Sequence, residues 1–553
     1  MFYIAKQLKY LFALTSRFSL TSVGFAAIWS LVTVLFYNQS FFIAVFYSFS
    51  SLNIKNIFFV VELAIVLFAL NFIFFLLLII PWVNRFLFSI IFICAAFAHY
   101  FMSTYGIVIH QTMIQNVFET DAAEVSGLVS FSLLGDLFFL GVLPSFFILR
   151  TKIIYRSFFG ELWVRTRAVL AGLVVVILLV VVSSASFSSF FRSHREIRQL
   201  ANPLNFVYAS SRYFLQNNKP LVVRPIENDA HLNEVGSALT KPQLLVLVVG
   251  ETARADHFQL NGYKRETTPL MIKENLINFS SVHSCGTETA VSVPCMMSLL
   301  GRKDYSDSLA KQQESVLDVI SHAGIGVFWR DNNSSCKGAC DRVTYENIQR
   351  WKLPDLCNKR ECFDEALLFD LDKKLETIIS KSGSKLLVLH PKGSHGPDYY
   401  NRYPASAEFF KPVCKTNQLQ DCTPEELVNA FDNTIRYSDH FLAAMVSWLK
   451  TKEDSYNTAM IYLSDHGESL GENKIYLHGM PYMLAPEAQK HVPLFFWFSS
   501  GYEEDNKINT ECLKRKGGEN FSHDNLAHTL MGLMNVSSSV YSPELDIVSN
   551  CRR

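Results

Sequence analysis

The sequence predicts an α-helical membrane domain of five spans, followed by an α/β domain built on a mainly parallel sheet. Three observations carry this. Apolar residues make up half of the 553-residue chain and concentrate before residue 190. All cysteines but Cys94 lie beyond residue 280. From residue 242 onward, short β-rich runs alternate with helical patterns. The 50 basic and 50 acidic residues balance, so no basic face points to a nucleic-acid partner.

The first element is the membrane part, residues 1–187. Five apolar stretches have the roughly 20 residues a bilayer needs, near 20–38, 58–80, 86–104, 129–149 and 168–187. The run "NQSFFIAVFYSF" after the first is too short to count separately. Lys6, Lys9 and Arg17, then Arg85, then Arg150, Lys152, Arg156, Arg165 and Arg167 fall on one side of this topology. The 105–128 loop carries no Lys or Arg and falls on the other. Residues after 188 are then expected outside the cytoplasm. No cleavage site follows an isolated first apolar segment, so no removed signal peptide is expected. Glu62, His99 and Asp136 are costly in lipid, and the last two read as an interhelical hydrogen bond.

Residues 188–241 are polar, with Arg192, Arg195, Arg198 and Arg212 among Phe190, Phe191, Tyr208 and Tyr213. An interfacial connection on lipid headgroups and a plain solvated linker both fit that mixture. Cysteine usage supports the topology independently. An even number of cysteines confined to the outside part reads as disulfides in an oxidising compartment. Chain neighbours suggest Cys285–Cys295, Cys336–Cys340, Cys357–Cys362 and Cys414–Cys422, leaving Cys512–Cys551. A zinc-thiolate cluster would call for CxxC pairs, and none occurs.

In residues 242–553 the strand candidates are "LLVLVVG" (244–250), "GVFWRD" (326–331), "KLLVLH" (385–390), "AMIYLSDH" (459–466) and "VPLFFWF" (492–498). Continuous apolar runs suit strands buried on both faces of a parallel sheet. Segments 313–323, 364–381 and 424–450 suit covering helices. Ligands of such sheets gather at the carboxyl ends of strands. Polar clusters stand there: "GETARADH", "DNNSSCKG", "HPKGSHGP" and "SDHGES" follow the first four runs. Glu251, Asp465 and His466 supply oxygen and nitrogen ligands that suit zinc with an open position. A hydroxyl there would become an alkoxide-like nucleophile. "CGTETAVSVPC" (285–295) offers Thr287, Thr289 and Ser292, and the residues alone do not choose among them.

Six ordered motifs, "VVGETARADHFQLNGY", "CGTETAVSVPCM", "WRDNNSSCKG", "GSHGPDYYNRYP", "SDHGESLGENKIYLHG" and "FSHDNLAHTLMG", together resemble the phosphoethanolamine transferases. These are inner-membrane members of the alkaline phosphatase superfamily and include the lipid A transferases behind polymyxin (colistin) resistance. The resemblance implies an alkaline phosphatase/sulfatase-like α/β domain in the periplasm of a Gram-negative cell, acting as a monomer among inner-membrane lipids. It implies phosphatidylethanolamine as donor and lipid A, or a core sugar of lipopolysaccharide, as acceptor. It implies Thr289 as nucleophile, with one tightly bound zinc on Glu251, Thr289, Asp465 and His466. His395 and His478 would bind the phosphoryl group or a second zinc. Asn333, Ser334 and Lys337 would contact the phosphoethanolamine, with Glu468 supporting or moving a proton.

The loop "IQNVFETDAAEV" (114–125) looks like the family's membrane-side signature. Asn116 and Glu119 would meet a headgroup ammonium, or else the segment is a helix start near Thr120 with solvated acids. Lys392 adds a cation near the site. Pro294, five residues after Thr289, argues against an unbroken helix from the nucleophile. Glu288 is expected to have no role. A sulfatase would need CxPxR, and Cys295 is followed by "MMSLL". A hydrolase of the same fold and a non-catalytic binding protein are the competing classes.

Overall fold

The structure is a computed structural model that describes residues 18–49, 53–120, 125, 127–217, 223–226, 229–349, 351–358 and 361–553. Lys6, Lys9 and Arg17, used above to orient the first span, lie outside the described residues. The chain divides into two compact units. One comprises Met1–Ile114 with Val129–Arg212, and the other Gln115–Leu128 with Tyr213–Arg553.

The first unit is helical. Among the described residues, four helices are long and apolar enough to cross a membrane: Ile54–Leu78, Asn84–Thr104, Phe131–Arg150 and Phe158–Val182. The expected first span is instead a pair, Ser22–Phe36 and Gln39–Tyr47, bent by 52°. The second member is the run that seemed too short to count. The last span begins ten residues before its expected position, so Arg165 and Arg167 belong to the helix and not to a loop. Arg165 Nε donates to Glu161 Oε1 at 2.8 Å one turn earlier, and its Nη1 reaches the Ile79 carbonyl. Arg167 lies over the Trp163 ring. Long basic side chains satisfied in this way can sit near the end of an apolar helix. His99 Nδ1 and Asp136 Oδ2 are 2.9 Å apart, joining two helices as expected, and Ser183 donates to Glu62.

The second unit holds a seven-stranded sheet. Its strands are β1 (Gln243–Gly250), β2 (Ile277–Phe279), β3 (Gly326–Asp331), β4 (Thr344–Asn347), β5 (Lys385–His390), β6 (Asn457–Ser464) and β7 (Leu494–Phe498). The order is β2-β7-β6-β1-β5-β3-β4, with only β7 antiparallel to its neighbours. Every residue of β1, β3, β5 and β6 is buried, as the unbroken apolar runs demand. The helix Pro424–Lys450 starts on a Thr423–Glu426 capping box with proline in its first turn. The expected helix over 364–381 is broken into a 3-10 turn, Asp364–Leu368, and Leu371–Thr377. Asp370, at φ 52°, turns the chain between them. All five disulfides pair as the chain order suggested.

Candidate active site

Register brings the site together. Gly250 of β1 pairs with Ser464 of β6, so Glu251 and Asp465 leave adjacent strands side by side. Asp331 of β3 pairs with His390 of β5 on the same rim. The Gly250 carbonyl accepts from the Asp465 N–H at 2.8 Å, extending the ladder into the loops. Gly393 returns the chain tightly against β1. It sits at φ 53°, and a Cβ there would lie 2.7 Å from the Glu251 carbonyl oxygen.

Glu251, Asp465 and His466 are fully buried, and their ligand atoms lie within 4.8 Å of one another. Asp465 Oδ1 accepts from the N–H groups of Thr252 and His466 at 3.1 and 2.7 Å. Among the described residues Asp465 Oδ2 has no hydrogen-bond partner. His466 Nδ1 donates to the Gly467 carbonyl at 2.9 Å, which turns Nε2 toward Asp465 Oδ2 and Glu251 Oε1, each 3.4 Å away. Against the effect of burial, these two carboxylates raise the imidazole above its ordinary range. Two buried carboxylates this close repel unless positive charge, on the imidazole or on a metal ion, lies between them. The residues therefore fit a metal ion, and this donor set suits zinc. Burial and the Glu251 charge push the Asp465 carboxyl up to about 7. Burial acts the same way on Glu251, but His390, His466 and His395 outweigh it and hold that carboxyl well below the usual range.

Thr289 opens a helix, Thr289–Met297. Its Oγ1 lies 3.1 and 3.2 Å from the two Glu251 oxygens and 3.3 Å from His466 Nε2. The helix runs through Pro294, contrary to the expectation of a break. The Glu288 carbonyl accepts from the Val291 and Ser292 N–H groups, and the Cys285–Cys295 bridge clamps the turn from both sides. Thr287 Oγ1 instead donates to the Met480 carbonyl, and Ser292 Oγ accepts from the Gly286 N–H. The structure thus brings only Thr289, of the three candidate hydroxyls, to the carboxylates.

Asn333 Nδ2 donates to Glu251 Oε2. Lys337 Nζ donates to Ser334 Oγ at 3.0 Å and is buried beside them. The His466 and His478 rings lie 4.4 Å apart, and the His395 and His478 rings 5.4 Å apart. Glu468 Oε1 meets His478 Nδ1 at 3.2 Å, and burial pushes the Glu468 carboxyl up to about 8. Lys392 is buried, its N–H donating to Asp364. The helix Gln111–Glu119 carries Asn116 and Glu119 on its last turn, and the alternative helix start near Thr120 falls on residues 121–124, outside the described residues.

Sequence reasoning passed over three residues. Burial would lower the His390 imidazole, but Asp331 and Glu251 outweigh it and raise it to about 9. That places a positive charge behind Glu251. His523 accepts from the Cys285 N–H and donates to the Ser464 carbonyl, joining the loop that precedes Thr289 to β6. Glu288 meets Asn116 at 2.6 Å. His390 ends one of the apolar runs, which was a readable signal, whereas the Glu288 contact spans 172 positions and left none.

Residues 243–536 match the Sulfatase family model, and residues 67–218 match that of Phosphoethanolamine transferase EptA/EptB. Phosphoethanolamine transferase EptA of Escherichia coli (strain K12) is 42% identical over 477 residues, covering 85% of this chain and 86% of its own. The chain belongs to the phosphoethanolamine transferase family. Phosphatidylethanolamine transferase Mcr-1 of Escherichia coli is 39% identical, over 80% of this chain and 83% of its own. Among solved structures, the integral membrane protein lipooligosaccharide phosphoethanolamine transferase A (EptA) from Neisseria meningitidis matches with a TM-score of 0.93 at 35% identity. It covers 97% of this chain and 100% of that one. Membership of the phosphoethanolamine transferases accounts for a membrane protein carrying a sulfatase-like domain on one chain.

Proposed function

We propose that the protein transfers phosphoethanolamine from phosphatidylethanolamine to a lipid A phosphate through a phospho-threonine intermediate. It would do so at the Gram-negative inner membrane, with its α/β unit in the periplasm. The observation that carries this is the Thr289 hydroxyl, within 3.3 Å of both Glu251 oxygens and of His466 Nε2. Zinc held by Glu251, Thr289, Asp465 and His466 would supply a lowered hydroxyl pKa and positive charge beside the phosphoryl oxygens. Thr289 Oγ1 bonds to phosphorus, the bond to the diacylglycerol oxygen breaks, and that oxygen takes up a proton. An acceptor phosphate oxygen then displaces Thr289 and restores its hydroxyl. Lys337 and Asn333 steady the phosphoryl oxygens, and charge placed there ahead of time lowers the barrier. His395 and His478 line the same space, with His478 oriented by Glu468. All these residues lie in one unit of one chain, so a monomer suffices. An added ammonium reduces the negative charge of lipid A, which supports polymyxin resistance.

Mass spectrometry of lipid A and core oligosaccharide from a Gram-negative host expressing the chain tests this, against the same host carrying Thr289→Ala. A phosphoethanolamine-sized gain on lipid A, lost in the variant, is expected. A gain confined to the core would move the acceptor to a sugar. No gain from folded, metal-loaded protein would overturn the transferase reading.

A further inference from the structure

His283 and His491 face each other across an antiparallel bridge. The Ser284 N–H donates to the Lys490 carbonyl at 2.8 Å, and the Val492 N–H to the Val282 carbonyl at 3.0 Å. Those bonds flank the pair, which is therefore of the closely spaced, non-hydrogen-bonded kind, with both side chains on one face. The ring centroids stand 5.8 Å apart. Two imidazoles on one zinc ion, with bonds of about 2.1 Å, put their centroids roughly 5–6 Å apart. The backbone thus holds the rings at a chelating separation.

Each ring is committed through its other nitrogen. His491 Nε2 lies 2.7 Å from the Ser280 carbonyl, which can only accept, so in the neutral ring Nε2 carries the proton and Nδ1 the lone pair. His283 Nε2 lies 3.1 Å from Glu487 Oε2, and a carboxylate imposes the same tautomer. Metal-ligating histidines almost always donate their second N–H to a carboxylate or a backbone carbonyl, which fixes the ring and makes the remaining nitrogen more basic. This pair shows one of each. Among the described residues no hydrogen bond reaches either Nδ1. The nearby Lys490 Nζ is taken up by the other Glu487 oxygen at 2.9 Å. The His283 side chain is 40% exposed, so water can complete a coordination shell.

We infer that His283 and His491 form a second, surface metal site, which takes zinc through the two Nδ1 atoms with water in the remaining positions. Glu487 and the Ser280 carbonyl orient the rings. Neither ring hydrogen-bonds to a residue of the site around Thr289. His283 stands two residues before Cys285, so an ion here ties the entry of the Cys285–Cys295 loop to the segment leading into β7. Imidazole suits zinc. Two protein ligands hold it less tightly than the buried set of Glu251, Asp465 and His466, and protons compete for both lone pairs.

The test uses the untagged full chain in detergent micelles, stripped with a chelator and dialysed at mildly alkaline pH against zinc alone. Bound zinc per chain is compared in the wild type, His283→Gln, His491→Gln, Asp465→Asn and the pair His283→Gln with Asp465→Asn. Tm in chelator identifies the folded chains. At saturating zinc the wild type should hold one equivalent more than either histidine variant. Adding His283→Gln to Asp465→Asn should remove one further equivalent. Should one histidine variant fail to fold, the other decides, since each breaks the chelating pair. Equal zinc in the wild type and the folded histidine variants would mean an adventitious ion only and would overturn the site. An equivalent that Asp465→Asn alone abolishes would overturn it as well.

Discussion

Asp465 commits one oxygen to two backbone N–H groups and leaves the other without a hydrogen bond among the described residues, 3.4 Å from His466 Nε2 and beside the Glu251 carboxylate. Such an arrangement is unfavourable unless a cation completes it, so metal binding should be coupled to stability. Treating the full chain with a chelator should lower its Tm, and Asp465→Asn should both weaken metal retention and shrink that difference. Differential scanning fluorimetry with metal analysis reads both. His523 makes a second residue-level case. Burial lowers its imidazole to about 4, and its two nitrogens already have one donor and one acceptor facing them. The unfolded chain takes up the proton near pH 6.5 and the folded chain only near 4, so the contribution is complete above 6.5 and lost as pH falls toward 4. The loss should approach about 3 kcal/mol, and His523→Gln should flatten this limb of a urea-melt series over pH.

At the scale of elements, the disulfides divide by the length of chain they close. Cys512–Cys551 spans 39 positions and Cys336–Cys340 only 4. Chain entropy then assigns about 4 kcal/mol to the first and about 2 kcal/mol to the second. Serine replacement of both cysteines in each bridge, followed by denaturant melts, should show that order. The strands and bridges were legible because their signals are local: "KLLVLH" names a buried strand within six letters, and its His390 marks the rim. The choice of Thr289 as the proposed nucleophile became legible only through resemblance, since Thr287, Thr289 and Ser292 differ in what they face and not in kind. The last apolar helix was misplaced because hydropathy scores Arg165 as a polar residue, whereas Glu161 and a carbonyl satisfy it inside the helix. The tie between Asn116 and Glu288 had no local trace at all.

Across the whole molecule, each bridged cysteine of the α/β unit joins the next one along the chain. No bridge encloses or crosses another. A polypeptide entering an oxidising compartment from its amino end can therefore close every bridge before the following pair has emerged. Its maturation should need an oxidant but no reshuffling of wrong pairs, because first-come pairing is already correct. Cells lacking a disulfide isomerase should accumulate the oxidised protein at ordinary levels, and cells lacking the oxidase should not, as thiol-trapping gels would show. A gene carrying this arrangement is then undemanding of a new host's folding helpers, and it can be moved between species that share little but an oxidising envelope.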